Sequence, residues 1–554
     1  MITSGEHNHE PVENVAAYAP ARKLSEAEIE SVNNLSSIGV KPRIILNALR
    51  QQNPSNISTS RDIHNIKMSQ KRKILNGRTE IECLLDTLIN KNIEHAILRD
   101  SSENLTCLFI RPNTVSNIIK KYSPSKVFLL DSTYKTNRYR MPLLHGVSIT
   151  ATNESFTLFF CFLRFETQEF YEWAMHEVRK FLVGQNVELN GAIFVTDREL
   201  ALMSAISTVM PETNQILCQW HINKNLLAKH RASFNSEDAW KEFMMLWQSL
   251  VNSPTTTEYN VRLNLLREQV PETVATYLLT TWLSHKERIV LAWTRNFKHF
   301  GNLTTSRVEG SHAAIKKWLQ VSTGDMLRVC SLLEKACDDQ ERRLSQSNNF
   351  QKTHNLVGLN QSLWGDVTKK ISRYALTLAR AEYQKSLNSE YQPCTKIFTA
   401  TMGIPCSHTI RIMLENGTNF TVIDFDKYWW LTQPEQVPPV LHGDAPVLGN
   451  LIDRIEERYD QFQLHQRTLF LNHLTEAVEQ PIIVRNPVMA PTRGRPSGST
   501  HRDPSAFEYP VPSKLQQSPD QIRETRVIQR CAVCHNHGHN SRTCPERHTS
   551  SNIP

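Results

Sequence analysis

No run in this chain approaches the ~18 consecutive apolar residues of a membrane-spanning helix, and the opening MITSGEHNHE holds no apolar signal core. Secretion and membrane spanning are therefore not expected. Cysteine is sparse: eleven in 554 residues, thinly spread except where several sit near histidines at metal-ligand spacings. That argues against a disulfide scaffold and for a reducing intracellular compartment. Neither charge sign dominates. With 63 Lys and Arg against 55 Asp and Glu, the net +8 is mildly basic and fits a polyanionic partner without requiring one. A chain of this length, 40% hydrophobic and 21% charged, has room for several domains and a large core.

Against that background, three carboxylates stand in unusual settings. Asp131 ends the apolar run KVFLLDSTY, Asp197 ends AIFVTDRELA, and Glu309 lies in TTSRVEGSHAAIKKWL, where a loop passes into a helix. A carboxylate at the end of a buried strand is costly unless paired or bound to a cation. Any one of them reads equally well as a solvated strand end. Together, two strand ends and a helix-borne Glu are what a two-metal phosphoryl-transfer site requires. Hard oxygen ligands hold Mg²⁺ ions ~4 Å apart, one activating the attacking oxygen and the other the leaving oxygen.

The flanks of these residues sharpen the reading. LLDSTYKTNRYRMPLLHGVSITATNESFTLFFCFL, IFVTDRELALMSAISTVMPETNQILCQWHINKNL and TTSRVEGSH, within residues 120 to 320, resemble the Mutator-like element (MULE) transposases and their plant relatives, the far-red-impaired-response regulators. The resemblance implies an RNase H-like fold, with Asp131, Asp197 and Glu309 as a catalytic triad binding Mg²⁺ or Mn²⁺. It also assigns the family's Cys-x-x-His signature to Cys218 and His221. From the residues alone, Cys218 and His221 read as packing of a helical insertion on the core, just after a strand and facing the helix INKNLLAKH.

Periodicity gives the organisation. Residues 1–23 resemble the tail of a WRKY-type zinc finger, His7 and His9 being its closing His-x-His; the two preceding cysteines are absent, by truncation or by loss of the finger, and no zinc is expected here. Residues 24–118 read as helical, with KRK at 71–73 a solvated basic turn. The catalytic domain is expected over 119–330. KVFLLD, PLLHGVSITAT and SFTLFFCFLRF are strands, followed by a helix and then alternating strands and helices. That order puts Asp131 on the first strand and Asp197 on the fourth. Amphipathic patterns predict an all-helical insertion over about 223–300 and further helical regions at 331–390 and 413–480.

Three further segments carry metal or DNA signals. At 391–412, Cys394, Cys406 and His408 resemble a SWIM zinc finger that lacks one ligand, Gln392 and Lys396 standing where a second opening Cys belongs. Residues 481–525 read as a disordered basic linker, in which Arg493 and Arg495 of TRGRPSGS resemble an AT-hook for the A·T minor groove. At 526–548, Cys531, Cys534, His539 and Cys544 have the Cys-x2-Cys-x4-His-x4-Cys spacing of a zinc knuckle, a Zn²⁺ site whose usual partner is single-stranded nucleic acid or protein.

The expected architecture is α/β: an RNase H-like core with an all-helical insertion, helical flanks and a small C-terminal knuckle after a linker. The expected function is Mutator-type DNA transposition in the nucleus, acting on element ends and target DNA, with no membrane partner and a homo-oligomer left open. A domesticated DNA-binding regulator without catalysis is the competing reading, and an inert genomic relic a third.

Overall fold

The computed structural model describes residues 14–122, 126–359, 362–388, 393–432, 448–479 and 483–489. His7, His9, Arg493, Arg495 and the knuckle ligands Cys531, Cys534, His539 and Cys544 lie outside them.

Three helices come first: α1 (Glu26–Ser37), α2 (Pro42–Gln52) and α3 (Ser60–Leu75). Capping boxes at Ser25 and Thr59 start α1 and α3, and Pro42 opens α2 where its missing N–H costs nothing. The three bury Val32, Ile45, Leu49 and Ile63 against one another. The KRK stretch is not a solvated turn. Lys71 lies within α3, 2.9 Å from Glu80 and 2.7 Å from Asp325, which ties this bundle to the rest of the chain.

After α4 (Glu80–Asn90) come β1 (Glu94–Arg99) and β2 (Leu105–Arg111), then α5 (Thr114–Tyr122). The two strands correct the helical reading of 24–118. LTCLFIR is buried along nearly its whole length, and a short apolar run without alternation does not distinguish strand from buried helix.

The remaining strands are β3 (Val127–Thr133), β4 (Leu143–Ile149) and β5 (Ser155–Leu163), then α6 (Gln168–Gly184), β6 (Ile193–Thr196), α7 (Leu200–Val209) and β7 (Asn214–Leu217). All seven strands form one sheet in the order β1-β2-β5-β4-β3-β6-β7, with β3, β6 and β7 mutually parallel and the other pairs antiparallel. Side chains of β3 alternate between two cores. Phe128 and Leu130 pack with Ile118, Tyr171 and Ile206 from α5, α6 and α7, while Val127 and Leu129 pack with Ile193, Val195, Trp364 and Trp429. Cover on both faces is why these strands read as unbroken apolar runs. Gly146 on β4 is required by closeness: a Cβ there would stand 2.2 Å from the Phe159 ring of β5.

A helical block follows β7: α8 (Gln219–His230), α9 (Glu237–Val251), α10 (Thr256–Gln269), α11 (Glu272–Tyr277) and α12 (Leu291–Thr294). Between the last two lie a π-helical turn (Leu278–Trp282) and a 3₁₀ stretch (Leu283–Arg288). Trp240, Phe243, Trp247, Leu266 and Trp282 give the block its own core. The chain then returns to the sheet through α13 (Ser306–Leu319) and α14 (Met326–Thr353), followed by α15 (Arg373–Ser386), α16 (Ile397–Met402), α17 (Ser407–Glu415), α18 (Leu448–Asp460) and α19 (Leu464–Glu479). The regions 331–390 and 413–480 are thus less continuously helical than their patterns suggest: 354–359 and 416–432 are loops with short 3₁₀ turns at most. Residues 483–489, expected in the linker, partly join the fold. Arg485 exchanges backbone hydrogen bonds with Glu103 and Leu105 at 2.8 and 3.0 Å. No helix among the described residues is long and apolar enough to cross a membrane.

Candidate functional site

Strand register assembles the carboxylates. Strands β3 and β6 pair Val127 with Ile193 and Leu129 with Val195, so two residues further on Asp131 and Asp197 stand level. β6 and β7 pair Thr196 with Leu217, so one residue further on Cys218 is level with Asp197. Neighbouring strands lie ~4.8 Å apart, which brings all three to one edge of the sheet. Asp131 shares its face of β3 with Val127 and Leu129, the side on which α13 crosses β3 and β4. Glu309 and His312, three residues apart on α13, meet it there. His312 Nδ1 is 3.7 Å from Asp131 Oδ2, and Asp131, His221 and Glu309 offer ligand atoms all within 4.8 Å of one another. Asp197 is not part of that tight group; its charge acts on Asp131 from the neighbouring strand.

Cys218 and His221 do more than face a helix: they begin it. Cys218 is the N-cap of α8, its Sγ accepting from the His221 backbone N–H at 3.5 Å and from the Thr305 N–H at 3.1 Å. Thr305 in turn holds the N-cap position of α13 without a side-chain capping bond, and its hydroxyl lies 3.1 Å from His221 Nδ1, while His221 Nε2 is 3.3 Å from Glu309 Oε1. The Cys-x-x-His pair therefore fastens the Glu-bearing helix to the end of β7. From the other side Arg307 clamps α13, donating to Asn153 O at 2.9 Å and Asn153 Oδ1 at 2.6 Å in the β4–β5 turn.

Electrostatically the cluster is short of positive charge. Burial, then the Asp197 charge, hold the Asp131 carboxyl well above the ordinary carboxylate range; Glu309 and Cys218 add to this, and His221 opposes it. Burial also raises Asp197, again against His221, with Glu166 adding to the rise. For His221, burial alone would depress the imidazole, but Cys218 and Glu309 reverse the effect and bring it to about 10. The Cys218 thiol moves down, the imidazole outweighing its burial. Burial and the repulsion of Asp131 by Asp197 favour a cation beside these two carboxylates, and the Asp131 side chain, 12% exposed, can be reached from solvent. Hard oxygen donors with one imidazole suit Mg²⁺ or Mn²⁺.

Sequence reasoning passed over several residues around this centre. His145, paired with Asp131 across β3 and β4, is fully buried and lies 5.4 Å, ring to ring, from His312. Burial pushes both imidazoles down, His312 to about 3. Glu166 accepts from Tyr134 at 2.6 Å and from Tyr171 at 3.2 Å, and its charge reaches Asp197. His312 stood within the SRVEGSH stretch and could have been found from its spacing of three from Glu309; His145 and Glu166 carried no local signal.

A second cluster sits in the segment read as SWIM-like. Cys394, Cys406 and His408 bring ligand atoms within 4.8 Å of one another, and the two sulfurs are 3.7 Å apart. No fourth Cys, His, Asp or Glu joins this group among the described residues. Burial pushes the Cys406 thiol up, but hydrogen bonds from the side chain and backbone of Thr409, with help from Thr399 and His408, bring it to about 6. Gly403 ends α16 at φ +61°, where a Cβ would stand 2.4 Å from Asp426 Cβ, so the turn into GIPCSH needs glycine.

Comparison with known proteins bears on this geometry directly. Residues 127–225 match the MULE transposase domain. That span holds Asp131, Asp197, Cys218 and His221 and ends within α8, before the rest of the helical block and Glu309. Over 482 residues the chain is 23% identical to part of "PKS-NRPS hybrid synthetase cheA" of Chaetomium globosum, covering 78% of this chain and 10% of that protein. Over 272 residues it is 24% identical to "Protein FAR1-RELATED SEQUENCE 5" of Arabidopsis thaliana, covering 45% of this chain and 33% of that protein. The chain thus spans about a tenth and a third of these two relatives. The resemblance to MULE transposases and their far-red-impaired-response relatives, read from the sequence, holds.

Proposed function

We propose that this chain is a Mutator-type DNA transposase, whose Asp131, Asp197 and Glu309 carry metal-dependent DNA cleavage and strand transfer. One observation carries the reading: the β3–β6 register sets two largely buried carboxylates level, and α13 brings a third within 4.8 Å of Asp131. Within the sheet, β5-β4-β3-β6-β7 with only β4 reversed is the strand order expected of an RNase H-like core, and β1 and β2 extend it at the β5 edge.

Asp131, Asp197 and Glu309 would hold Mg²⁺ or Mn²⁺, which when bound activates the attacking oxygen and stabilises the leaving one. The chain's own groups position these ligands. Cys218 and Thr305 fix α8 against α13, His221 orients Glu309, and His312 backs Asp131. The substrate is DNA, the element's own ends and a target, and the place of action is the nucleus. The knuckle ligands Cys531, Cys534, His539 and Cys544 would bind Zn²⁺ and unpaired nucleic acid; Arg493 and Arg495 would enter an A·T minor groove.

The similarity to the far-red-impaired-response relative favours a second reading, a DNA-binding regulator derived from a transposase and without catalysis. One experiment separates the two. Purified protein with Mg²⁺ or Mn²⁺ is offered DNA bearing any terminal inverted repeats found to flank its gene. The transposase cuts it, and Asp131→Asn, Asp197→Asn and Glu309→Gln each remove cutting while binding persists in Ca²⁺. Binding without cutting by the wild-type protein assigns it to the regulators.

A further inference from the structure

A second group of side chains, opposite in sign, lies beside the carboxylates. Arg198 follows Asp197 in the turn between β6 and α7, yet its guanidinium lies over the Trp282 ring, 5.8 Å from the centroid. Its Nε is buried without a hydrogen-bond partner, and Arg198 makes no ion pair among the described residues. Trp282 closes the π-helical turn, a rare form that recurs at functional sites. The 3₁₀ stretch after it bends at His285 (φ −114°, ψ 27°) and packs against β7. Arg288, at its end, extends to α7, with Nη2 3.5 Å from Ser207 Oγ.

The charges of Arg198 and Arg288 both reach His285. Burial lowers that imidazole, and the two guanidinium charges lower it further; exposed Glu287 opposes them. Lys286, between them in sequence, is turned away onto the rings of Trp293 and Tyr259, at 5.3 and 5.9 Å. Two half-buried guanidiniums whose charges reach one imidazole, with no carboxylate ion-paired to either among the described residues although Glu199 and Glu287 act on them from next along the chain, are costly unless an anion completes them. A solvated surface patch would leave the Arg198 Nε in water instead of under Trp282.

We propose that Arg198, His285 and Arg288 form a phosphate seat for the DNA backbone, one side supplied by the sheet and the other by the helical block. The inference rests on the transposase reading for its substrate. Because Arg198 is bonded directly to Asp197, a phosphate held there fixes the strand within one residue's reach of the carboxylates. The seat reads no sequence; it sets register and orientation. The helical block thereby gains a role: its π-turn presents Trp282 and the bend that delivers Arg288.

The test is binding of a random-sequence duplex by the full chain in Ca²⁺, followed across a range of salt concentrations. Arg198→Gln and Arg288→Gln are each expected to flatten the log–log salt slope by about one and to weaken binding several-fold at fixed salt, whereas Arg198→Lys keeps the slope. Should Arg198→Gln fail to fold by thermal melt, Arg288→Gln, held by one long contact, decides the matter. Wild-type slopes in the folded Gln variants overturn the seat. Binding in Ca²⁺ requires no cutting, so the two readings fail separately. Flattened slopes with no cutting by the wild type keep the seat and remove the transposase, while normal cutting with unchanged slopes does the reverse.

Discussion

The two clusters of metal-type ligands in this chain are built in opposite ways. Cys394, Cys406 and His408 come from fifteen consecutive residues, whereas Asp131, His221 and Glu309 come from strand β3, helix α8 and helix α13 across 179. The local cluster is soft and already adjusted: hydrogen bonds bring the Cys406 thiol to about 6. The distant one is hard and frustrated, with Asp131 pushed well above the carboxylate range by burial and by Asp197. Spacing builds the first. Sheet register, a helix cap and the Arg307–Asn153 clamp build the second, so it depends on the whole fold.

The largest break in this comparison comes from removing that frustration. Asp131→Asn is expected to cut DNA cleavage by orders of magnitude, since it removes one of the carboxylates proposed to hold the metal. The same change should stabilise the metal-free protein by roughly 0.5–2 kcal/mol, because it removes a largely buried carboxyl that Asp197 repels. Thermal melts in chelator check this; a destabilised variant would mean that Asp131 is satisfied as it stands. No such gain is expected from Cys406→Ser, because nothing in the local cluster is strained.

The next effect tests whether register is the assembling device. Gly146→Ala places a methyl group against Phe159 and must shift β4 or β5, at about 1–3 kcal/mol for overpacking. Because β4 carries His145 behind Asp131, metal-dependent cutting should fall too, while zinc uptake at Cys394 and Cys406 stays unchanged. Cutting at the wild-type rate in a clearly destabilised Gly146→Ala protein would show that the carboxylates do not depend on that register.

These contrasts explain what could be read from the chain. Asp131, Asp197 and Glu309 were legible because each closes a distinct local pattern, and β3 to β7 because cover on both faces makes them unbroken apolar runs. β1 and β2 were missed because LTCLFIR carries no alternation to separate it from a buried helix. Cys218 and His221 were legible as a pair, but their hold on Thr305 and Glu309 was not, since a cap that accepts from a residue 87 positions away leaves no trace in spacing. Arg198 was invisible for the same reason: its partner, Trp282, lies in another layer.

A smaller effect concerns pH. His221, about 10 in the fold against 6.5 as a free imidazole, lends stability that is full below about 6.5 and lost as pH rises through about 10. The Asp131 shift has the same sign: a carboxyl raised in the fold favours folding at low pH and opposes it as pH rises past its folded value. The metal-free protein should therefore lose stability steadily toward alkaline pH. His221→Gln should flatten the arm above about 6.5, and Mg²⁺ should offset the carboxylate share. An alkaline arm unchanged by His221→Gln would remove the imidazole from this account.

The smallest effect belongs to the local cluster, and its smallness is the prediction. Small zinc modules unfold without metal because they have no core of their own. The segment around Cys406 has one: Ile404 and Ile410 are buried with Trp364, Phe420 and Trp429 in the core that also covers Val127 and Val195. Among the described residues three ligands gather there, and Cys394 is exposed, so bound zinc would need water or a remote group as its fourth partner. Cys394→Ser should therefore abolish whatever cobalt spectrum this segment gives, yet move the melting curve by less than about 1 kcal/mol. Deleting residues 526–548 beforehand removes the knuckle's own signal. A large loss of stability on Cys394→Ser, or on chelation of that truncated protein, would mean that the metal and not the tryptophan core holds this segment to the sheet.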